Sequence, residues 1–243
     1  MRVALFITCL NDIFMPRAGL GMVHILEHLG IDVTFPDGQT CCGQPQWNSG
    51  YQAEAEALGR HFLDVFEGAD YVVSPSGSCT AMVRHTYPEM FRDDPGRLAQ
   101  ARALAPRVYE FTEFLTEVLG TEDLGASLKG RAAYHASCHM TRMLGVTEPP
   151  LKLLRQVRGL DLVPLAHPEL CCGFGGTFAV KSPELSVAMG DDKLEDVVSS
   201  GAKILVGADP SCLLHLQGRA QRRGLPIRVM HVAELLAEGA GLL

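Results

Sequence analysis

Eight cysteines in two matched sets constrain this chain more than any other feature of its sequence. They are Cys9, Cys41, Cys42 and Cys79, then Cys138, Cys171, Cys172 and Cys212, each set reading single, adjacent pair, single. The intervals are 32 and 37 positions in the first set and 33 and 40 in the second, with the sets offset by 129 to 133 residues. Such a match indicates internal duplication, because scattered structural cysteines have no reason to repeat it. The flanks agree. Ala4-Leu5-Phe6-Ile7-Thr8-Cys9 pairs with the run 132–138, Cys41-Cys42-Gly43 with Cys171-Cys172-Gly173, and Ser74–Cys79 with Gly207–Cys212.

The stretches between the cysteines alternate in kind. Short apolar runs at 3–8, 31–35, 71–74 and 108–111 read as strands, and runs near 132–137, 161–165, 203–208 and 227–230 repeat the scheme. Between them, helical spacing is found at 20–29, 52–66, 98–105 and 112–119, and again near 150–157, 184–199 and 232–238. Strands alternating with helices predict parallel sheets and right-handed crossovers. The expected fold class is α/β: two pseudo-duplicated Rossmann-like modules, each a parallel sheet flanked by helices. The modules are expected at 1–122 and 130–243, joined by a polar, turn-rich stretch near Gly120–Gly130, and packed against each other. In both, the first cysteine follows the first strand, the pair follows the second and the last follows the third. Ligands of parallel α/β folds gather at the carboxyl ends of strands, so each quartet is expected to meet at one sheet edge.

Composition narrows the chemistry. The chain has 243 residues, 47% of them hydrophobic, which suits a folded core, and a formal charge of −7, which does not suit binding to a phosphate backbone. No apolar run is long enough to cross a bilayer. The opening Met1–Cys9 resembles a signal peptide, but its apolar stretch is short and Asn11 and Asp12 follow, so it reads as a buried first strand. A cytoplasmic location is expected. Disulfide frameworks mostly serve small extracellular domains, and the absence of CxxC argues against a thiol–disulfide catalyst. Thiolates are soft ligands that suit zinc, copper(I) and iron–sulfur clusters. Neighbouring cysteines are awkward around one tetrahedral ion and easier around a larger inorganic core, which favours iron–sulfur over zinc. Gly43 and Gly173 behind the pairs would permit positive φ and close backbone approach to such a core. The run Cys171-Cys172-Gly173-Phe174-Gly175-Gly176 lacks the spacing of a dinucleotide-binding GxGxxG.

Two copies of Cys…Cys-Cys-Gly…Cys resemble the cysteine-rich CCG domain found in heterodisulfide reductases, in glycolate oxidase iron–sulfur proteins and in anaerobic glycerol-3-phosphate dehydrogenases. A chain with two such modules and no ferredoxin-like CxxCxxC segment is similar to the lactate-utilisation protein A group. Cys41-Cys42-Gly43-Gln44-Pro45, with Trp47, Asn48 and Gly50, is the first-copy signature. Cys171–Phe178 is the second, and Cys138-His139 also fits. The resemblance implies that all eight cysteines bind cofactor, an iron–sulfur cluster of the 4Fe–4S type in one or both modules, with zinc an option in one. It implies an electron-transfer subunit of a multi-protein system oxidising L-lactate to pyruvate, a co-catalytic role beside iron–sulfur partner subunits, with any membrane association running through those partners. The domain often ends in CxxC. Here Met82 and His215 stand three residues after the last cysteines, which makes His215 a candidate nitrogen ligand and Met82 at most a weak thioether neighbour. Two other readings stay open: an iron–sulfur catalyst with an open coordination site acting on disulfides, and a structural zinc protein serving as an interaction module.

The remaining histidines and arginines carry weaker signals. His24 and His28 share a helix face without an evident third ligand, and His61, His85 and His167 are isolated. Arg84, Arg92, Arg97, Arg102 and Arg107 make 84–107 locally basic, which reads first as ordinary surface.

Overall fold

Runs of Val, Ala, Leu and Ile bounded by glycine and polar turns build two four-stranded sheets in the computed structural model, which describes all 243 residues. The first contains β1 (Arg2–Leu5), β2 (Asp32–Thr34), β3 (Tyr71–Ser74) and β4 (Val108–Glu110), in the order β2-β1-β3-β4. The second contains β5 (Ser127–His135), β6 (Arg158–Leu162), β7 (Ile204–Gly207) and β8 (Arg228–His231), in the order β6-β5-β7-β8. Every pairing is parallel, as in Val3 opposite Tyr71 and Ala132 opposite Ile204. The duplicated Rossmann-like architecture expected from the sequence is therefore present. Strand order reverses between β1 and β3, and between β5 and β7. That reversal is the crevice where open α/β sheets receive ligands.

Side chains alternate across each sheet with the period of two that a pleated strand imposes. Val3, Leu5 and Val73 face one way and join Ala132, Tyr134, Ile204 and Val206 in a core shared by both modules. Ala4, Phe6 and Val72 face the other way, into a core of the first module's own. Ala133 and Leu205 do the same in the second. Helices flank both faces of each sheet. The layer between the sheets comprises Pro16–His28 and the helical stretch 111–118 from the first module, and Glu148–Arg155 and Val232–Gly239 from the second.

Element boundaries differ from the sequence reading in a few places. β5 begins at Ser127, within the stretch read as a joint. Among the helices that the sequence did not suggest are five that adjoin or follow the cysteines. Cys9–Phe14 follows β1, and Gln44–Asn48 follows the first cysteine pair. Gly77–Ala81 follows β3, Phe178–Lys181 follows the second pair, and the full-length helix Pro210–Arg222 follows β7. Pro210 is therefore the first residue of a helix, where its missing N–H costs nothing.

Candidate metal centre

The strand ends deliver the cysteines as the topology requires. Cys9 opens the helix after β1, with Thr8 in extended backbone before it. Cys138 stands at the equivalent exit of β5, at the start of a π-helical turn. Cys41–Cys42 and Cys171–Cys172 sit in the loops after β2 and β6. Each pair is followed by a glycine in the left-handed region, Gly43 at φ 82° and Gly173 at φ 84°. Cys79 and Cys212 lie in the first turns of Gly77–Ala81 and Pro210–Arg222. Their caps are Ser76, whose Oγ accepts from Cys79 N at 3.4 Å, and Asp209, whose carboxylate accepts from Ser211 N at 3.1 Å. A helix N-terminus favours a thiolate, because unsatisfied N–H groups and the helix dipole both point at it.

Within the first module the adjacent cysteines split between the single ones. Cys9 Sγ is 3.7 Å from Cys41 Sγ, and Cys42 Sγ is 3.4 Å from Cys79 Sγ. All eight cysteines are free thiols, and these separations are far from the ~2.05 Å of a disulfide bond. In each quartet the first cysteine of the adjacent pair accepts from two neighbouring thiols. Hydrogen bonds from the thiols of Cys42 and Cys9, and from the Gly43 and Cys42 N–H groups, bring Cys41 down to about 3. The thiols of Cys138 and Cys172, with the Gly173 N–H 3.4 Å away, lower Cys171 likewise. As donors in the same chains, and through burial, Cys9, Cys42, Cys138 and Cys172 are pushed up. Cys212 is lowered to about 7, chiefly by the Cys172 thiol and also by the His135 imidazole. Each quartet thus concentrates sulfur until proton sharing is forced, and a bound cation would relieve this by deprotonating the set.

The two quartets are not separate. All eight cysteines line one cavity of about 380 Å³ at the junction of the modules, together with Thr8, Gln44, Ser76, Ser78, His139 and Ser211 among its polar groups. No lysine or arginine lines it. The modules are tied around it by Ser78 N donating to Asp209 Oδ2 at 2.7 Å and Gly77 N donating to the Ala208 carbonyl at 3.3 Å. Ser49 Oγ and Thr177 Oγ1 meet at 3.0 Å, and Gln44 Nε2 stands 3.4 Å from His139 Nε2.

The other candidates are placed as follows. His139 lines the cavity with Nδ1 3.6 Å from Cys138 Sγ. His215 lies away from the lining, its Nε2 3.2 Å from the Ser186 carbonyl and 3.3 Å from the Ser186 hydroxyl. Met82 is fully buried in the first module's core. Three of the five arginines in the basic stretch are engaged within the chain: Arg84 Nη1 donates to both carboxylate oxygens of Glu113, Arg97 pairs with Asp64, and Arg107 donates to the Ala69 carbonyl, while Arg92 stays exposed. One ring that sequence reasoning passes over is central. His135, the last residue of β5, is 1% exposed and lies with Cys172 and Cys212 so that the three donor atoms are within 4.8 Å of one another. Its signal is the duplication itself, which sets it opposite Phe6.

The residues present fit a metal or an iron–sulfur group. Eight free thiols gathered in two quartets supply soft donors, and backbone N–H groups at Gly173 and Phe174 lie 3.4 and 3.5 Å from Cys171 and Cys172 sulfurs. Two parallel α/β modules whose cysteines share one crevice define a class, the cysteine-rich CCG proteins. The CCG cysteine-rich domain model matches residues 3–84 and 132–217. The chain is 52% identical over 239 residues to lactate utilization protein A of an Exiguobacterium species, covering 98% of this chain and 97% of that protein. It is 53% identical over 236 residues to lactate utilization protein A of Geobacillus kaustophilus, covering 97% and 98%. The chain belongs to the lactate utilization protein A family of CCG proteins. Among solved structures, a hypothetical protein from Helicobacter pylori superposes with a TM-score of 0.69 at 9% identity, which is a likeness of fold. That match covers 99% of this chain, which spans about half (49%) of the Helicobacter protein's length.

Proposed function

We propose that this chain is the iron–sulfur electron-transfer subunit of a multi-protein system oxidising L-lactate to pyruvate, working in the cytoplasm beside iron–sulfur partner subunits. The observation that carries the reading is the single cavity lined by both cysteine quartets. Cys9, Cys41, Cys42 and Cys79 would hold one cluster, and Cys138, Cys171, Cys172 and Cys212 the other. Bound clusters would supply one-electron redox chemistry. The protein's part is to place the two sets of thiolates side by side, donate backbone N–H groups to sulfur and exclude water from Cys42, Cys79, Cys172 and Cys212, all of which are buried. The names of the relatives supply the lactate connection.

The lining also bears on where lactate is oxidised. A carboxylate substrate is ordinarily held by arginine or lysine, and neither is present. That favours a relay over a lactate-binding active site. Zinc in the second module is the alternative with its own support, because His135, Cys172 and Cys212 form a mixed donor group of the kind zinc accepts.

The test is iron, zinc and acid-labile sulfide per chain after purification without oxygen, in wild type, Cys42→Ser and Cys172→Ser. Iron and sulfide in near-equal amounts are expected, and each variant is expected to lose the share of its own module. Zinc without sulfide, or unchanged iron and sulfide in both variants, would sink the assignment.

A further inference from the structure

The duplication makes the two modules nearly superposable in pattern, so positions where they differ in chemistry stand out. The clearest is the residue three before the first cysteine. In the first module it is Phe6, packed edge-on against Phe62 and Phe66 at ring separations of 4.8 and 5.7 Å. In the second it is His135, on the same sheet face and equally buried.

An imidazole is a poor filler for a place that phenylalanine can occupy. Both ring nitrogens of His135 are buried without a hydrogen-bond partner of ordinary geometry. A buried nitrogen left without a partner destabilises the fold, a penalty that an apolar ring in its place does not carry. The ring is nevertheless directed at sulfur: its donor atom, Cys172 Sγ and Cys212 Sγ lie within 4.8 Å of one another. The other histidines near the second quartet are engaged differently. His215 Nε2 is on Ser186, and His139 is half-buried beside Cys138 with its far nitrogen at Gln44.

We propose that His135 is a metal ligand, so that the second module holds its centre through the sulfurs of Cys138, Cys171, Cys172 and Cys212 and one ring nitrogen of His135. The first module, with Phe6 in that place, uses sulfur alone. The inference rests on the reading above that the second quartet holds a metal centre. Its consequence is a functional asymmetry. An imidazole added to the four thiolates changes the donor set of one centre only, so the two centres are expected to differ in potential. Electrons arriving at the cavity would settle on the centre of higher potential.

The experiment uses the full chain, purified without oxygen and grown with ¹⁵N-histidine, as wild type, His135→Phe, His139→Ala and His215→Gln. Pulsed EPR of the paramagnetic state is expected to show a strongly coupled histidine nitrogen in wild type, His139→Ala and His215→Gln, and none in His135→Phe. Voltammetry on the same samples is expected to show one of two potentials shifting in His135→Phe alone. A coupled nitrogen that survives His135→Phe, a centre with no histidine nitrogen, or unchanged potentials would overturn the proposal. Protein that carries zinc without sulfide defeats the iron–sulfur reading alone, and zinc X-ray absorption then decides about His135. A nitrogen at ~2.0–2.1 Å beside sulfurs at ~2.3 Å, lost in His135→Phe, supports it; an all-sulfur shell overturns it. His135→Phe copies the packing of the first module, and His135→Gln serves if that variant does not fold.

Discussion

Glu110 shows how far single residues in the joint between modules depart from ordinary behaviour. It ends β4, is fully buried, and caps the following helix: its Oε2 accepts from the backbone N–H groups of Thr112 at 2.8 Å and Glu113 at 3.3 Å. Its other oxygen has no partner. Burial therefore outweighs the capping bonds and pushes the carboxyl up to about 8. An acid whose pKa is raised by folding keeps its proton in the native state while the unfolded chain releases it. Stability is then lost as pH rises from the ordinary carboxylate range toward 8, by at most about 1.4 kcal/mol per pH unit. Glu110→Gln keeps a capping oxygen and removes the titration. Urea unfolding at pH 5 and pH 8 is expected to show wild type losing stability relative to the variant by about 2–4 kcal/mol. Parallel behaviour of the two proteins would contradict the buried, protonated state. At this same scale the cysteines are legible from the sequence, because two quartets with matched intervals have one economical explanation. His135 is not. A histidine at the end of an apolar run looks like any other strand residue until the fold turns its ring toward Cys172 and Cys212.

Among the elements, strands are the most legible. Parallel strands covered on both faces are continuous apolar runs, and the run at 71–74 coincides with Tyr71–Ser74 to the residue. The helix Pro210–Arg222 is absent from the sequence reading although its signals are present: Asp209 at the cap, Pro210 in the first turn, and Leu213, Leu216 and Ala220 at helical spacing and buried. The sequence places Cys212 only as following a strand, and the helix whose first turn holds it goes unnoticed. The π-helical turns at Met82–Thr86, Phe114–Val118 and His139–Leu144 have no sequence signature to read; such turns are frequent at functional sites. The cysteine loops carry a sharper test. Gly43 and Gly173 share a left-handed backbone, which costs a residue with a Cβ about 1–3 kcal/mol. Their surroundings differ. A Cβ at Gly43 would approach the Ala55 carbonyl oxygen at 3.3 Å, but one at Gly173 would reach the Ser186 carbonyl oxygen at 2.4 Å. Backbone cannot step aside as a side chain can. Gly43→Ala is expected to cost about 1–2 kcal/mol and keep its metal. Gly173→Ala is expected to cost clearly more and to empty the second module, as read by thermal unfolding and metal content. Equal losses in the two variants would contradict the difference in packing.

The whole molecule is organised by a pseudo-twofold relation that the sequence implies only in part. The first module's helix Pro16–His28 packs on the second module's last helix, Val232–Gly239, and the reciprocal pair is Glu148–Arg155 with the stretch 111–118. Around the cavity the relation recurs: Gly77–Ala81 meets His139–Leu144, and Pro210–Arg222 meets Cys9–Phe14. Duplication is legible, but the merging of two cysteine sites into one cavity depends on this helix layer, and no spacing along the chain encodes it. If the layer holds the modules together, its closest approach should be intolerant of a single methyl group. At Gly21, in the middle of Pro16–His28, a Cβ would lie 2.6 Å from the Ala233 carbonyl oxygen across the joint. Helix propensity alone favours Gly→Ala by about 1 kcal/mol, and overpacking opposes it by about 1–3 kcal/mol. Gly218, exposed in Pro210–Arg222 with nothing near its Cβ position, isolates the propensity term. Gly218→Ala is therefore expected to raise the melting temperature and Gly21→Ala to lower it, each by about 2–4 °C per kcal/mol for a chain of this size. Because the shared core contains residues of both sheets, Gly21→Ala should shift one cooperative transition for both modules together. A transition that splits, with one module melting early and the other unmoved, would show that the two fold independently and that the cavity between them opens without unfolding either.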